Sequence, residues 1–514
     1  MSGAPAQDRS AQTVAVVPAA TNAATITLSL ISHTNTGKTT LARTLVGRDV
    51  GEVKDEQHVT PAATAYELQS SVQGDRLVLW DTPGFGDSVR LNRRLAQQGN
   101  PVGWFLSEVW DRFRDRAFHL AQHAVRNVRD ESDVVLYLVN SAESPEHVGY
   151  LDAELCILDW IGKPAILLLN QTGAPRPRAE EAAAEGRWHD AVRGHSNVRA
   201  VATLDAYTRC WVQELGLFDL VADALAPERR PAMRRLAVAW EARRHATFEA
   251  SMAALAAPIA LAASDREALP QTGVGGVLRD LGRRLGVGKG GTAAAQARAV
   301  GAMATRLDTA IRDSTDALIA MHGLDGHARG EVLERMAHAA RIDAPIDEGK
   351  AALMGGVVSG ALTGLAADLA AGGMTFGAGL VTGAVFGALG GAGIARGMNV
   401  TRGREGSVVR WNDAFLIGLG RSALLRYLAV AHFGRGRGSF AEREYPSHWL
   451  PLADAVVMQH RKALIELLGT RTNDSRPEEL VPPITRWLVA AARDLLDRLY
   501  PGALLAACNR RISA

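Results

Sequence analysis

Ser32-His33-Thr34-Asn35-Thr36-Gly37-Lys38-Thr39 is the stretch that decides the fold. The run before it, Ala24-Thr25-Ile26-Thr27-Leu28-Ser29-Leu30-Ile31, alternates apolar with small polar side chains, which predicts a strand. After Gly37 the apolar residues Leu41, Leu45 and Val46 recur at helical spacing. A strand, a tight loop and a helix N-terminus form a phosphate cradle. Backbone N–H groups of the loop point inward, and the positive end of the helix dipole favours an anion. Lys38 is placed to reach the β- and γ-phosphates of a nucleotide, and the Thr39 hydroxyl to ligate Mg2+. Asn35, Thr36, Gly37 and Thr40 complete the expected binding loop. Ser32 stands where the pattern G-x-x-x-x-G-K-[ST] has its first glycine, and is small enough for the strand exit.

A second phosphate signature, Asp81-Thr82-Pro83-Gly84, follows the short apolar run Arg76-Leu77-Val78-Leu79-Trp80. Asp81 is expected to hold the magnesium through water, and the Gly84 N–H to contact the γ-phosphate. Tyr66, Leu68 and Val72 suggest another strand, joined to the next by a turn at Gln73-Gly74-Asp75. Ser132–Asn140 and Pro164–Asn170 read as further buried strands, and Val198–Thr203 as a last one. Leu151, Leu155, Leu158 and Trp160 fit a helix packed on them. Strands alternating with helices predict an α/β P-loop fold with a doubly wound, mostly parallel sheet.

On these motifs the stretch from about Ala24 to Ala226 resembles an Era-like GTPase domain of the translation-factor class. The resemblance implies GTP as ligand and substrate, GDP as product, Mg2+ as cofactor and slow intrinsic hydrolysis. It also implies a switch threonine that closes over the γ-phosphate and the metal. Thr60 is the candidate and Thr64 the alternative, which makes Lys38 and Thr60 the expected catalytic pair and Thr39, Thr60 and Asp81 the metal set. Phe85, rather than a water-orienting glutamine, follows Asp-Thr-Pro-Gly. Asn35 stands where potassium-activated relatives carry an asparagine, so K+ is a candidate activator. The family's base-reading pattern is Asn-Lys-x-Asp, against Asn170-Gln171-Thr172-Gly173 here. Only Asn170 matches, and the aspartate that discriminates guanine is missing at Gly173. Guanine against adenine therefore stays open, with a last base-contacting loop expected near Thr203 to Asp205.

The 514 residues give room for about three domain-sized units. The expected division is a disordered tail over 1–23, a GTPase domain over 24–230 and a mainly α domain over 231–514, with a linker near Pro227–Pro231. A net charge of +2 carries no global basic field, so no specific nucleic acid is expected. Cys156, Cys210 and Cys508 form neither a metal spacing nor a disulfide framework, which suits a reducing cytoplasm. The first twenty or so residues lack the basic region and apolar core of a signal peptide. Past the linker the strand pattern stops, and helical periodicity runs over about 233–263, 294–319 and toward the C-terminus.

Between Ala351 and Ala395 the one ionisable side chain is Asp368, and glycines recur every fourth residue at 356, 360, 364, 379, 383, 387 and 391. On helices that spacing makes close-packing grooves, and Gly372-Gly373 offers a turn. The expectation is a glycine-zipper helical hairpin that meets either a membrane lipid or a membrane-protein partner, with a packed soluble hairpin as the alternative. Lys350, Arg396, Arg402 and Arg404 flank it and suit anionic head groups, which places the chain in the cytoplasm, at or in the inner membrane. Homo-oligomerisation stays open. His432 reads as a structural histidine. The chain after residue 24 resembles a bacterial family in which a GTPase is joined to a domain of unknown function. The reading is a nucleotide switch joined to a helical effector region. Two alternatives stand beside it: a nucleotide-binding scaffold with little hydrolysis or relaxed base choice, and an RNA- or ribosome-linked assembly factor.

Overall fold

A computed structural model describes residues 23–33, 36–47, 64–85, 87–96, 116–172, 178–205, 210–269, 290–324, 398–403, 406–433 and 448–502. The N-terminal half runs β1 (Thr25–Ser32), α1 (Lys38–Val46), β2 (Thr64–Ser70), β3 (Arg76–Asp81), α2 (Ser88–Ala96), α3 (Arg116–Glu131) and β4 (Val134–Asn140). It continues through α4 (Leu151–Ile161), β5 (Ala165–Asn170), α5 (Arg178–Val192), β6 (Val198–Thr203) and α6 (Trp211–Ala224). The sheet order is β2-β3-β1-β4-β5-β6. All neighbours are parallel except the β2–β3 hairpin.

The period of two along the strands sets the layering. In β4, Val134, Leu136 and Leu138 face one core, while Val135, Tyr137 and Val139 face the other. The first core is closed by α1 and α6, the second by α2 to α5. The β2–β3 turn closes through Gly74, whose φ of 88° is open to glycine at no steric cost. Val72 lies beyond β2 and is fully exposed, so it belongs to this turn rather than to the strand.

No loose linker separates the halves. After α6 the chain turns tightly, and α7 (Arg230–Ser264) begins with Pro231 in its first turn. Arg230 caps the turn by donating to the Leu225 carbonyl at 2.9 Å. The core on the α6 side then runs without a break from Ile26 and Leu28 to Leu488 and Leu496. Against α7 pack α8 (Gly290–Met321), α9 (Asp413–Ala431) and α11 (Pro477–Leu499), and α10 (Trp449–Gly469) packs on α9 and α11. The strand pattern does not stop at Pro227–Pro231. A small antiparallel sheet of β7 (Arg266–Leu269), β8 (Met398–Gly403) and β9 (Gly406–Trp411), in the order β7-β9-β8, lies within the helical half. Its β7 is too short to show periodicity, and its partner lies far along the chain.

The helices α7 and α9 are long and apolar enough to cross a membrane, and more than half of each apolar window is buried inside the bundle. The glycine-rich stretch 351–395 lies outside the described residues.

Candidate functional site

Lys38 is buried between the ends of β1 and β3. Its Nζ donates to Ser32 Oγ at 2.7 Å and to the His33 carbonyl at 3.4 Å. Thr36 Oγ1 also donates to Ser32 Oγ, and Ser32 Oγ to the His33 carbonyl. The serine that replaces the first loop glycine thus takes part in the loop's hydrogen bonding. The Asp81 loop closes over it: the Phe85 N–H donates to the Ser32 carbonyl at 3.1 Å, and a Cβ on Gly84 would lie 3.2 Å from Lys38 Nζ. Gly37 has φ 86°, and a Cβ there would lie 2.6 Å from Asn170 Nδ2, so both backbone conformation and space require glycine.

Thr39 Oγ1 donates to Asp81 Oδ2 at 2.8 Å. The other carboxylate oxygen, Asp81 Oδ1, is buried and has no hydrogen-bond partner among the described residues. A buried, unpaired carboxylate oxygen beside a threonine hydroxyl is the donor set that a hard cation takes. Burial pulls the Lys38 ammonium below its ordinary pKa, opposed by the Asp81 and Glu154 carboxylates. Burial pushes the Asp81 carboxyl up, opposed by the Thr39 hydroxyl, Lys38 and Arg43. Asn170, fully buried at the end of β5, donates from Nδ2 to the Thr36 carbonyl at 2.6 Å and so ties the base edge to the phosphate loop. Thr40 is buried in the first turn of α1. Thr64 opens β2 opposite Asp81, with its side chain exposed. Asn35 and Thr60 lie outside the described residues.

Sequence reasoning missed a polar group under the loop. His33 Nδ1 donates to Glu154 Oε1 at 2.7 Å, and the Tyr137 hydroxyl donates to Oε2 at 2.8 Å. The His33 ring stacks on Tyr150 at 3.9 Å. Glu154 is fully buried, and burial raises its carboxyl pKa against the pull of His33. The available signal was its place in α4, on the same helical face as Leu151, Leu155 and Leu158.

At the far end of β5, the Thr172 N–H and hydroxyl both donate to Asp205 Oδ2 at 2.7 Å. Gln171, where the family pattern has lysine, adopts φ 56°. Its amide nitrogen lies 3.7 Å from where a Gly37 Cβ would be.

A parallel-centred sheet, a glycine-lysine-threonine loop between its first strand and helix, and a buried carboxylate ending β3 define a P-loop nucleotide-binding α/β unit. Residues 27–171 match a family described as 50S ribosome-binding GTPase, and residues 344–473 match a domain of unknown function, DUF3482. The GTPase match, less than half of the chain, supports a P-loop GTP-binding domain in the N-terminal half. No curated protein matches the chain. Among solved structures, Era in complex with MgGDPNP and nucleotides 1506–1542 of 16S ribosomal RNA is 16% identical at a TM-score of 0.30, over 39% of this chain and 57% of that one. An Era variant from Aquifex aeolicus bound to GDP·AlF4− is 16% identical at 0.30, over 44% and 67%. The mGMPPNP-bound NFeoB from S. thermophilus is 13% identical at 0.20, over 41% and 74%. The chain thus spans little more than half the length of the first of these.

Proposed function

We propose that this chain is a GTP-binding switch that hydrolyses GTP with Mg2+ and passes its nucleotide state to the helical bundle. The observation that carries the reading is the convergence of Lys38, Thr39, Asp81 and Gly84 at the carboxyl edge of the sheet. Lys38 would bind the β- and γ-phosphates, and the Gly84 N–H the γ-phosphate. Thr39 and Asp81 would hold Mg2+, joined by Thr60. Asn35, Thr36, Gly37 and Thr40 would line the loop, with Asn170 at the base edge. When bound, the metal neutralises charge on the phosphates. The γ-phosphoryl group would leave by in-line attack of water, stabilised by Lys38.

Coupling has a physical route. Arg235 of α7 makes a double hydrogen bond to Asp75 in the β2–β3 turn, at 2.7 and 2.8 Å. Arg229 pairs with Asp133 at 2.9 Å, and Trp211 Nε1 donates to the Tyr427 hydroxyl of α9 at 3.1 Å. The same hairpin carries Asp81 at its other end. We further propose that 351–395 meets a membrane lipid or membrane-protein partner, on its charge-free, glycine-spaced composition, with K+ as a candidate activator through Asn35.

Phe85 favours a second reading, a nucleotide-binding scaffold with little turnover. It is 2% exposed and packs 6.5 Å from Tyr137, so it cannot orient a water. The family description favours a third, an RNA- or ribosome-linked role, which salt-dependent RNA binding would support. Phosphate release in a single turnover separates switch from scaffold: release that requires Mg2+ supports hydrolysis, and bound GTP that persists unchanged contradicts it. Co-sedimentation with anionic vesicles tests the membrane contact.

A further inference from the structure

His33 is the second residue of the phosphate loop, and both its side chain and its carbonyl are engaged. The ring donates from Nδ1 to Glu154 Oε1 at 2.7 Å and lies flat on Tyr150, 3.9 Å away at an interplanar angle of 6°. Glu154 is held in turn: the Tyr137 hydroxyl donates to its Oε2 at 2.8 Å, and both Glu154 and Tyr137 are fully buried. A buried carboxylate with a hydrogen bond on each oxygen is fixed in place. The ring that it grips is fixed with it, and the backbone of the loop is pinned at this residue.

The His33 carbonyl lies where the loop meets the γ-phosphate contacts. It accepts from Lys38 Nζ at 3.4 Å, from Thr36 Oγ1 at 3.1 Å and from Ser32 Oγ. A Cβ on Gly84 would lie 3.5 Å from the same carbonyl oxygen and 3.2 Å from Lys38 Nζ, so the loop after β3 is seated on it. The helix α4, which carries Glu154, also packs on α2, the helix that follows that loop. Both γ-phosphate contacts thus lead back to α4. We propose that Glu154 is a positioning residue: acting through His33, it holds Lys38 and Gly84 where the γ-phosphate needs them. This rests on the GTP reading above. The β-phosphate is gripped mainly by the loop's N–H groups. A loosened His33 therefore weakens the hold on a triphosphate more than on a diphosphate.

The test is equilibrium binding of GDP and of GMPPNP, a non-hydrolysable GTP analogue, with Mg2+ to the full chain and its variants. His33→Phe keeps an aromatic ring for Tyr150 and removes the hydrogen bond to Glu154. Glu154→Ala removes the grip from the other side. Each is expected to bind GMPPNP about tenfold more weakly and GDP no more than about threefold more weakly. Glu154→Gln keeps a partner for both neighbours, because the His33 tautomer and the Tyr137 hydroxyl can each turn their hydrogen bond round. Its ratio of the two affinities should stay within about threefold of the wild type. Adding Glu154→Ala to His33→Phe should lower GMPPNP binding little further than His33→Phe alone. Equal losses for GDP and GMPPNP in both single variants would reduce the cluster to a support for the fold and overturn the inference, as would fully additive losses in the double variant. Should Glu154→Ala not fold, His33→Phe decides alone against Glu154→Gln. Wild-type binding of both nucleotides with unchanged affinities in His33→Phe overturns this inference and leaves the GTP reading standing, whereas no wild-type binding of either overturns both.

Discussion

Thr39 Oγ1 and Asp81 Oδ2 lie 2.8 Å apart, joining the first turn of α1 to the end of β3, and leave Asp81 Oδ1 buried and unpaired among the described residues. The arrangement fits a divalent ion between the two side chains. Asp81→Asn keeps the shape and removes the charge. The gain in GTP affinity on adding Mg2+ to metal-free protein should shrink by about 10- to 100-fold in this variant. Titration of nucleotide in EDTA and in Mg2+ measures it, and an undiminished metal effect would remove Asp81 from the site.

Gly37 is tested by a single methyl group. In Gly37→Ala the added Cβ would lie 2.6 Å from Asn170 Nδ2 at a φ that costs a side chain roughly 1–2 kcal/mol. Nucleotide affinity should fall at least about tenfold, since the loop and the base edge are pushed apart together. Calorimetry against GDP reads the change.

The Arg235–Asp75 pair is expected to hold the hairpin to the bundle. Asp75 is fully buried, and the Arg235 guanidinium leads the interactions that hold its carboxyl at about 2. Arg235→Ala should cost about 3 kcal/mol in urea unfolding, because the buried carboxylate loses its cationic partner and keeps only the Ser71 hydroxyl and the Ala24 N–H. Asp75→Ala in the same background should recover part of that cost, and additive losses would deny the coupling.

His432 predicts a pH dependence. Its Nδ1 donates to the Leu428 carbonyl at 2.8 Å, and its Nε2 accepts from the Tyr500 hydroxyl at 2.8 Å, so the ring is held neutral. Burial lowers its pKa to about 4. The unfolded chain takes up the proton near the ordinary value of about 6.5, whereas the folded chain resists until about 4. Stability is therefore complete above that ordinary value and falls as pH drops toward 4, by about 2 kcal/mol between pH 7 and pH 5. His432→Phe should flatten this slope in denaturant midpoints measured across the range.

Much of the sheet was readable locally, because apolar alternation and a glycine-lysine loop need few distant partners. Val198–Thr203 matches β6, and the helices expected over about 233–263 and 294–319 appear as Arg230–Ser264 and Gly290–Met321. What escaped depends on distance along the chain. Glu154 shares the apolar face of its helix, but its partner His33 stands 121 residues earlier and no local pattern pairs them. The pairing of Arg266–Leu269 with residues of Gly406–Trp411 closes a long loop that no local pattern announces. Asp205 is tied to Thr172, which precedes it by 33 residues and lies just past the end of the neighbouring strand β5.

The most direct measurement is the affinity of the purified full chain for GTP in Mg2+, compared with Lys38→Ala. The account predicts saturable, metal-dependent binding that Lys38→Ala abolishes while circular dichroism and the melting transition remain. Unchanged binding in Lys38→Ala would contradict it.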